Sequence, residues 1–154
     1  MSLHHSLTKS TFLLPVDSLS VARLLTGGWR IDRYQLFENY QRNVHKEEPH
    51  EISAAGFKRF LCVSPLPTTT TASGKRLGSY HMCYRLDGRL VAMGVLDLLP
   101  DIASSVYFIY HSDYESWHLG KVSACHEVCL AKEEGYGYYY MGNISLRVLQ
   151  LNCG

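Results

Sequence analysis

No apolar run in the 154-residue sequence approaches the roughly 20 residues needed to span a bilayer, so a membrane role is not expected. Net charge is nearly absent: 15 basic and 14 acidic residues leave a formal +1. A polycationic nucleic-acid binder is therefore excluded, and any such contact must come from a local patch. The opening MSLHHSLTKS has no apolar core followed by a small-residue cleavage site, so no signal peptide is expected. No two cysteines form a CxxC pair, and HEVCL at 126–130 fails the H-E-x-x-H pattern, so no metal site is expected. An odd count of 5 cysteines, set mostly inside periodic runs, argues for a reducing, cytoplasmic setting rather than a disulfide framework. There are no internal repeats. What the chain does have is 46% hydrophobic and 12% aromatic residues, enough for one globular domain with a real core.

Residues 1–15 read as a lead-in. DSLSVARLLT (17–26) predicts a short helix capped by Asp17 or Ser18 and stopped at Gly27-Gly28. Tyr34, Phe37, Tyr40, Gln41 and Val44 recur every three or four residues and predict a helix over 32–44. A polar loop with room for a helical turn follows (46–56), then a short strand or helix end (57–65). The Thr-, Pro- and Gly-rich PLPTTTTASGKRLG reads as a surface loop.

Two strand-like runs, 79–86 and 89–99, meet at Asp87-Gly88 and predict a hairpin. In it Tyr80, Met82 and Tyr84 share one face, His81 and Cys83 the other. A third strand is expected over 104–112, a helix over 119–134 and a fourth strand over 138–141. In that helix Leu119, Val122, Cys125 and Cys129 form the apolar stripe, with Glu127 and Glu134 pointing elsewhere. The cysteines are expected to pack in the core. The predicted class is α/β (α+β): a mixed, mostly antiparallel sheet flanked by helices. The order resembles the GCN5-related N-acetyltransferase fold.

Six phrases carry a more specific resemblance: YQLFENYQRNVH (34–45), GFKRFLCVSPL (56–66), GSYHMCYRLDGRLVAMGVLDLLP (78–100), SSVYFIYHSDY (104–114), LGKVSACHEVCLA (119–131) and YYYMG (138–142). Together they resemble the C-terminal half of the eukaryotic arginyl-tRNA–protein transferases. GGWR (27–30) is a faint further likeness, to the N-terminal half. The expected organisation is a variable segment 1–30, an arginyltransferase C-terminal-type domain 31–142 and a divergent tail 143–154. Some positions depart from the family pattern. His111-Ser112 replace an acidic residue and a proline. His118 replaces a serine. Cys125 and His126 replace leucine and arginine, and NISLRVLQLNCG replaces the usual continuation. A shortened form is expected.

The resemblance implies transfer of arginine from arginyl-tRNA, a co-substrate rather than a cofactor, to the α-amine of proteins beginning with Asp, Glu or oxidised Cys. That product is marked for ubiquitin-dependent degradation, in the cytoplasm and also the nucleus. Candidate catalytic residues are His81, as proton acceptor, and Asp97, as partner of a substrate cation. Tyr80, Tyr84, Ser105, Tyr107 and Tyr110 are candidates for lining the substrate site. Arg42, His45, Lys58 and Arg59, with Gly120, Lys121 and Ser123 at a helix N-terminus, are candidates for tRNA contact. Two alternatives stand beside this reading. One is an inactive binding or regulatory module, associating with the full-length enzyme. The other is a small-molecule acetyltransferase using acetyl-CoA, against which HLGKVS lacks the usual glycine-rich Q/R-x-x-G-x-G/A loop.

Overall fold

The computed structural model describes residues 19–142 and 144–148. Among the described residues seven strands and three α-helices follow one another: β1 (Leu19–Thr26), α1 (Ile31–Tyr40), α2 (Ala54–Phe57), β2 (Thr69–Thr70), β3 (Arg76–Leu86), β4 (Arg89–Leu98), β5 (Ile102–Tyr110), α3 (Leu119–Glu133), β6 (Tyr138–Met141) and β7 (Ile144–Arg147). α1 and α2 each run on into a wider turn, Gln41–His45 and Lys58–Cys62. The main sheet has the order β1-β3-β4-β5-β6-β7, with β2 paired to the start of β3. All pairs are antiparallel except β5 with β6, which α3 connects by a crossover. The expected mixed, mostly antiparallel sheet flanked by helices is the observed one. No helix among the described residues is long and apolar enough to cross a membrane.

The hairpin forms where expected. Asp87 and Gly88 both take positive φ, 49° and 81°, as the tight turn between right-twisted strands requires. The face assignment in β3 also holds. Tyr80, Met82 and Tyr84 join the core under α3, while Cys83 joins the core under α1 and α2 with Leu36, Phe37, Phe57 and Leu61. The sheet thus buries both faces.

Three expectations need correction. The segment around 17–26 is not a helix. Over 19–26 it is β1, whose backbone is paired along β3; Asp17 and Ser18 lie outside the described residues. The alternation shows why: Leu24 packs into the α3-side core and Leu25 into the opposite one, which a strand allows and one helical stripe does not. On α3 the buried stripe is Leu119, Ser123, Glu127 and Ala131, while Cys125 is exposed. Glu127 therefore faces the sheet, not solvent, and Cys125 is not a core residue. Beyond these corrections, the segment after Met141 adds strand β7, antiparallel to β6.

α3 comes close to the sheet at Gly94, in the middle of β4. A Cβ there would lie 2.9 Å from Glu127 Oε1 and 3.3 Å from Ser123 Oγ. Under the other face, His81 is fully buried. Its Nδ1 accepts from Arg33 Nη1 at 2.9 Å and its Nε2 donates to the Leu61 carbonyl at 2.7 Å. Arg33 also donates to the Thr26 and Gly28 carbonyls, so one buried guanidinium ties β1, α1 and β3 together.

Two outcomes are expected. Burial pushes the His81 pKa down to about 4 from 6.5, so unfolded chains bind a proton between those values that folded chains refuse. The native bonds of His81 then stabilise fully above pH 6.5, and about 3 kcal/mol of that stability is lost as pH falls toward 4. Urea unfolding at pH 7, 6, 5 and 4 should show this slope, and His81→Asn should be less stable at pH 7 but flatter across the range. Gly94→Ala should cost about 1–3 kcal/mol, because the methyl meets a hydrogen-bonded pair that cannot retreat. A denaturation midpoint equal to that of the parent would disprove the close approach.

Candidate functional site

β5 has β4 along its whole length but β6 over only four residues, Ile102↔Tyr138 to Ser105↔Met141. At that point its pairing with β4 also slips. Val95 faces Tyr107 and Leu96 faces Ser105, so Val106 is a bulge with no opposite number, 51% exposed. Past Ser105 the β6 side of β5 has no strand partner among the described residues, and the N-terminal half of α3 lies across the gap. The result is a cleft of about 500 Å³ lined by Ser105 to Phe108, Gly120, Lys121, Ser123, Ala124, Glu127, Tyr139, Met141 and Gly142. A second hollow of about 450 Å³, with Tyr110, Glu115 and His118, continues from it over Gly120 and Lys121.

The cleft floor is a hydrogen-bonded polar chain. Tyr84 Oη donates to Ser123 Oγ at 3.0 Å. Ser123 donates to Glu127 Oε1 at 2.6 Å, and Tyr139 donates to Glu127 Oε2 at 2.7 Å. Glu127 accepts at both oxygens. Burial raises the pKa of Tyr84 and Tyr139 well above the ordinary phenol value, and the neighbouring carboxylate adds to it. These hydroxyls are therefore fixed donors at neutral pH.

The sequence-derived candidates separate into three groups. Ser105, Tyr107, Gly120, Lys121 and Ser123 line the cleft, and Tyr110 lines its continuation. Ser123 is 2% exposed and holds Glu127, so its place is in the floor rather than on a tRNA-facing surface. Tyr84 lies just beneath that floor, whereas Tyr80 is buried outside the cleft, its hydroxyl directed to the Leu77 carbonyl at 3.4 Å. The second group sits on the opposite face. His81 is sealed between Arg33 and Leu61, too buried and too weakly basic to take a proton from a substrate. Asp97 faces away from the cleft floor and accepts from Ser79, itself hydrogen-bonded to Ser64. Neither expected catalytic residue therefore reaches the cleft.

The basic candidates form the third group, along α1 and α2. Arg42 pairs with Glu38 at 3.7 Å. His45 Nε2 lies 3.3 Å from the Tyr107 hydroxyl, and Lys58 sits 5.0 Å over the Trp29 ring. Arg59 is exposed on the same turn as Phe60, whose ring meets Tyr107 at 5.0 Å. No group of metal-ligating side chains occurs among the described residues.

Glu127 was missed from sequence, although two signals existed. One is a glycine inside an otherwise apolar strand, which marks close approach. The other is the spacing of Leu119, Ser123, Glu127 and Ala131 by fours, which places the acid on the buried stripe.

Residues 32–148 match the family described as arginine-tRNA-protein transferase, C terminus. The chain is 35% identical over 130 residues to an arginyl-tRNA–protein transferase 1 of Saccharomyces cerevisiae, covering 72% of this chain and 25% of that protein. It is 36% identical over 121 residues to the protein of the same name from Arabidopsis thaliana, covering 72% of this chain and 19% of that one. An aspartate/glutamate leucyltransferase of Campylobacter jejuni shares 33% identity over 107 residues, covering 70% and 42%. The chain thus spans a quarter or less of the length of the two arginyltransferases. Among solved structures, the ribosomal-protein-S18-alanine N-acetyltransferase from Escherichia coli superposes with a TM-score of 0.48 at 11% identity, over 77% of this chain and 64% of that one. The chain belongs to the family of the arginine-tRNA–protein transferase C terminus.

Proposed function

We propose that this chain carries the acyl-transfer cleft of an arginyltransferase, in which an arginyl ester of tRNA meets the α-amine of a protein beginning with Asp, Glu or oxidised Cys. The observation that carries the reading is the open groove beside the Val106 bulge, in a chain of this family. The reaction is aminolysis of an activated ester. The neutral amine attacks the ester carbon, a C–N bond forms and the carbonyl oxygen becomes an oxyanion. The nitrogen then loses a proton, the bond to the ribose oxygen breaks, and that oxygen is protonated. No covalent enzyme intermediate and no cofactor is needed.

Each part of the cleft has a task in this reading. The unpaired edge of β5 past Ser105 offers main-chain donors to the oxyanion. The confined groove holds amine and ester together, which replaces an encounter in solution. Gly120 and Lys121, exposed at the start of α3, suit the phosphates of the tRNA 3′ end. The aromatic and basic turn around Lys58, Arg59 and Phe60 offers stacking and charge to the rest of the acceptor strand. The setting is the cytoplasm and nucleus, where charged tRNA and the ubiquitin system meet.

The test is transfer of radiolabelled arginine from arginyl-tRNA to a peptide beginning with Asp, beside one beginning with Ala. Label is expected on the first only, with rates falling steeply as salt rises, since phosphate contacts release counterions. Absence of transfer together with binding of the Asp peptide or of full-length transferase would replace the reading with that of a regulatory module. Thermal stabilisation by coenzyme A would replace it with acetyl transfer.

A further inference from the structure

Glu127 is a buried acid that lacks a cation. Its side chain is 2% exposed, its two oxygens are held only by neutral hydroxyls, and none of the ion pairs among the described residues includes it. Hydroxyl donors orient a carboxylate but leave its charge uncancelled, and buried charges are ordinarily paired. Lys121 borders the same cleft, yet it is exposed at the mouth and forms no ion pair with Glu127. The acid is nonetheless among the residues that line an otherwise mostly apolar groove, with Phe108 and Met141.

The shape of this floor selects among cations. An ammonium is compact and strongly hydrated, and it needs acceptors around it. A guanidinium is flat, weakly hydrated and apolar on both faces, with its donors confined to the edge. One carboxylate between apolar walls matches the second description. Each Glu127 oxygen accepts one hydroxyl and keeps a further lone pair for an incoming N–H. Gly94 makes this possible, since any side chain there would meet Oε1 at 2.9 Å.

We propose that the floor of the cleft is a guanidinium subsite, in which Glu127 pairs with the side chain of the arginyl group while Phe108 and Met141 cover its faces. This rests on the reading of the groove as the seat of the arginyl ester. It assigns discrimination between arginine and neutral amino acids to one carboxylate, positioned by Ser123 and Tyr139.

Calorimetric titration of the whole chain with three small probes tests the subsite without any transfer reaction. L-Arginine amide and N-acetyl-L-arginine amide should bind alike. L-Citrulline amide, of the same shape but with a neutral urea, should bind about tenfold or more weakly, as the loss of a charged hydrogen-bonded pair implies. Glu127→Gln, which keeps the size and one acceptor, should bring arginine amide down to the citrulline level. The proposal is overturned by equal binding of arginine and citrulline amides or by binding that requires the free α-amine. An unchanged preference in a folded Glu127→Gln, or no binding of any probe, overturns it equally. The citrulline comparison needs no substitution, so a Glu127→Gln that fails to fold leaves the test intact. Arginine transfer without the preference would remove the subsite alone; the preference without transfer would keep the subsite and remove the transferase reading.

Discussion

The cleft exists because β5 runs out of neighbours. A strand inside a sheet satisfies its N–H and C=O groups on both sides, and a groove opens only where one side is given up. Here β6 accompanies β5 for four residues and then turns away at Gly142, whose φ of 60° suits a glycine. The bulge at Val106 coincides with the end of that pairing, so β5 is re-aimed at the residue where it loses its partner. α3 then covers the gap with its buried stripe rather than with a ladder. Side chains of α3, not backbone, therefore line the far wall.

The two faces of the sheet solve opposite electrostatic problems. Under α1 a buried cation, Arg33, is matched by two carbonyls and a neutral imidazole, all protein groups. Under α3 a buried acid, Glu127, accepts only from hydroxyls. Both side chains are almost wholly inaccessible, so exposure alone does not tell them apart. What distinguishes them is adjacency to open space. His81 and Arg33 form a closed structural knot, whereas Glu127 borders the groove and its local network is complete only in the neutral sense.

Much of the fold was legible in the sequence because its signals are local. Asp87-Gly88 between two alternating runs specifies a hairpin, and α1 and α3 follow from repeats of three and four, although the buried stripe of α3 is not the apolar one. β1 was misread because Leu24 and Leu25, adjacent in sequence, serve two different cores, and a short run of leucines between polar residues fits either period. The site was less legible, and for a physical reason. His81 and Asp97 attract notice as polar residues inside apolar strands, but whether such a residue is functional or satisfied depends on Arg33, Leu61 and Ser79, distant contacts that no local pattern encodes. Glu127 is expected off the apolar stripe because an acid on a helix ordinarily faces water, whereas in the fold it is buried against the sheet. Ser105 and Tyr107 are singled out on an expected strand and Gly120 and Lys121 at an expected helix N-terminus; the structure lines one cleft with all four, which no spacing among them predicts.

The positions where this chain departs from the family pattern bear on what the groove retains. His118 takes positive φ just before α3 and lines the continuing hollow rather than the floor. His111 sits past the end of β5 beside Arg89, with Nε2 2.7 Å from that guanidinium, and burial and the cation together lower its pKa. Cys125 is exposed on the outer side of α3, and the His126 ring stacks on Tyr84 with centroids 5.7 Å apart, one layer behind the floor. None of these side chains is among those lining the main cleft, where Ser105, Ser123, Glu127 and Tyr139 meet. Among the described residues, the departures therefore lie around the cleft rather than in its lining.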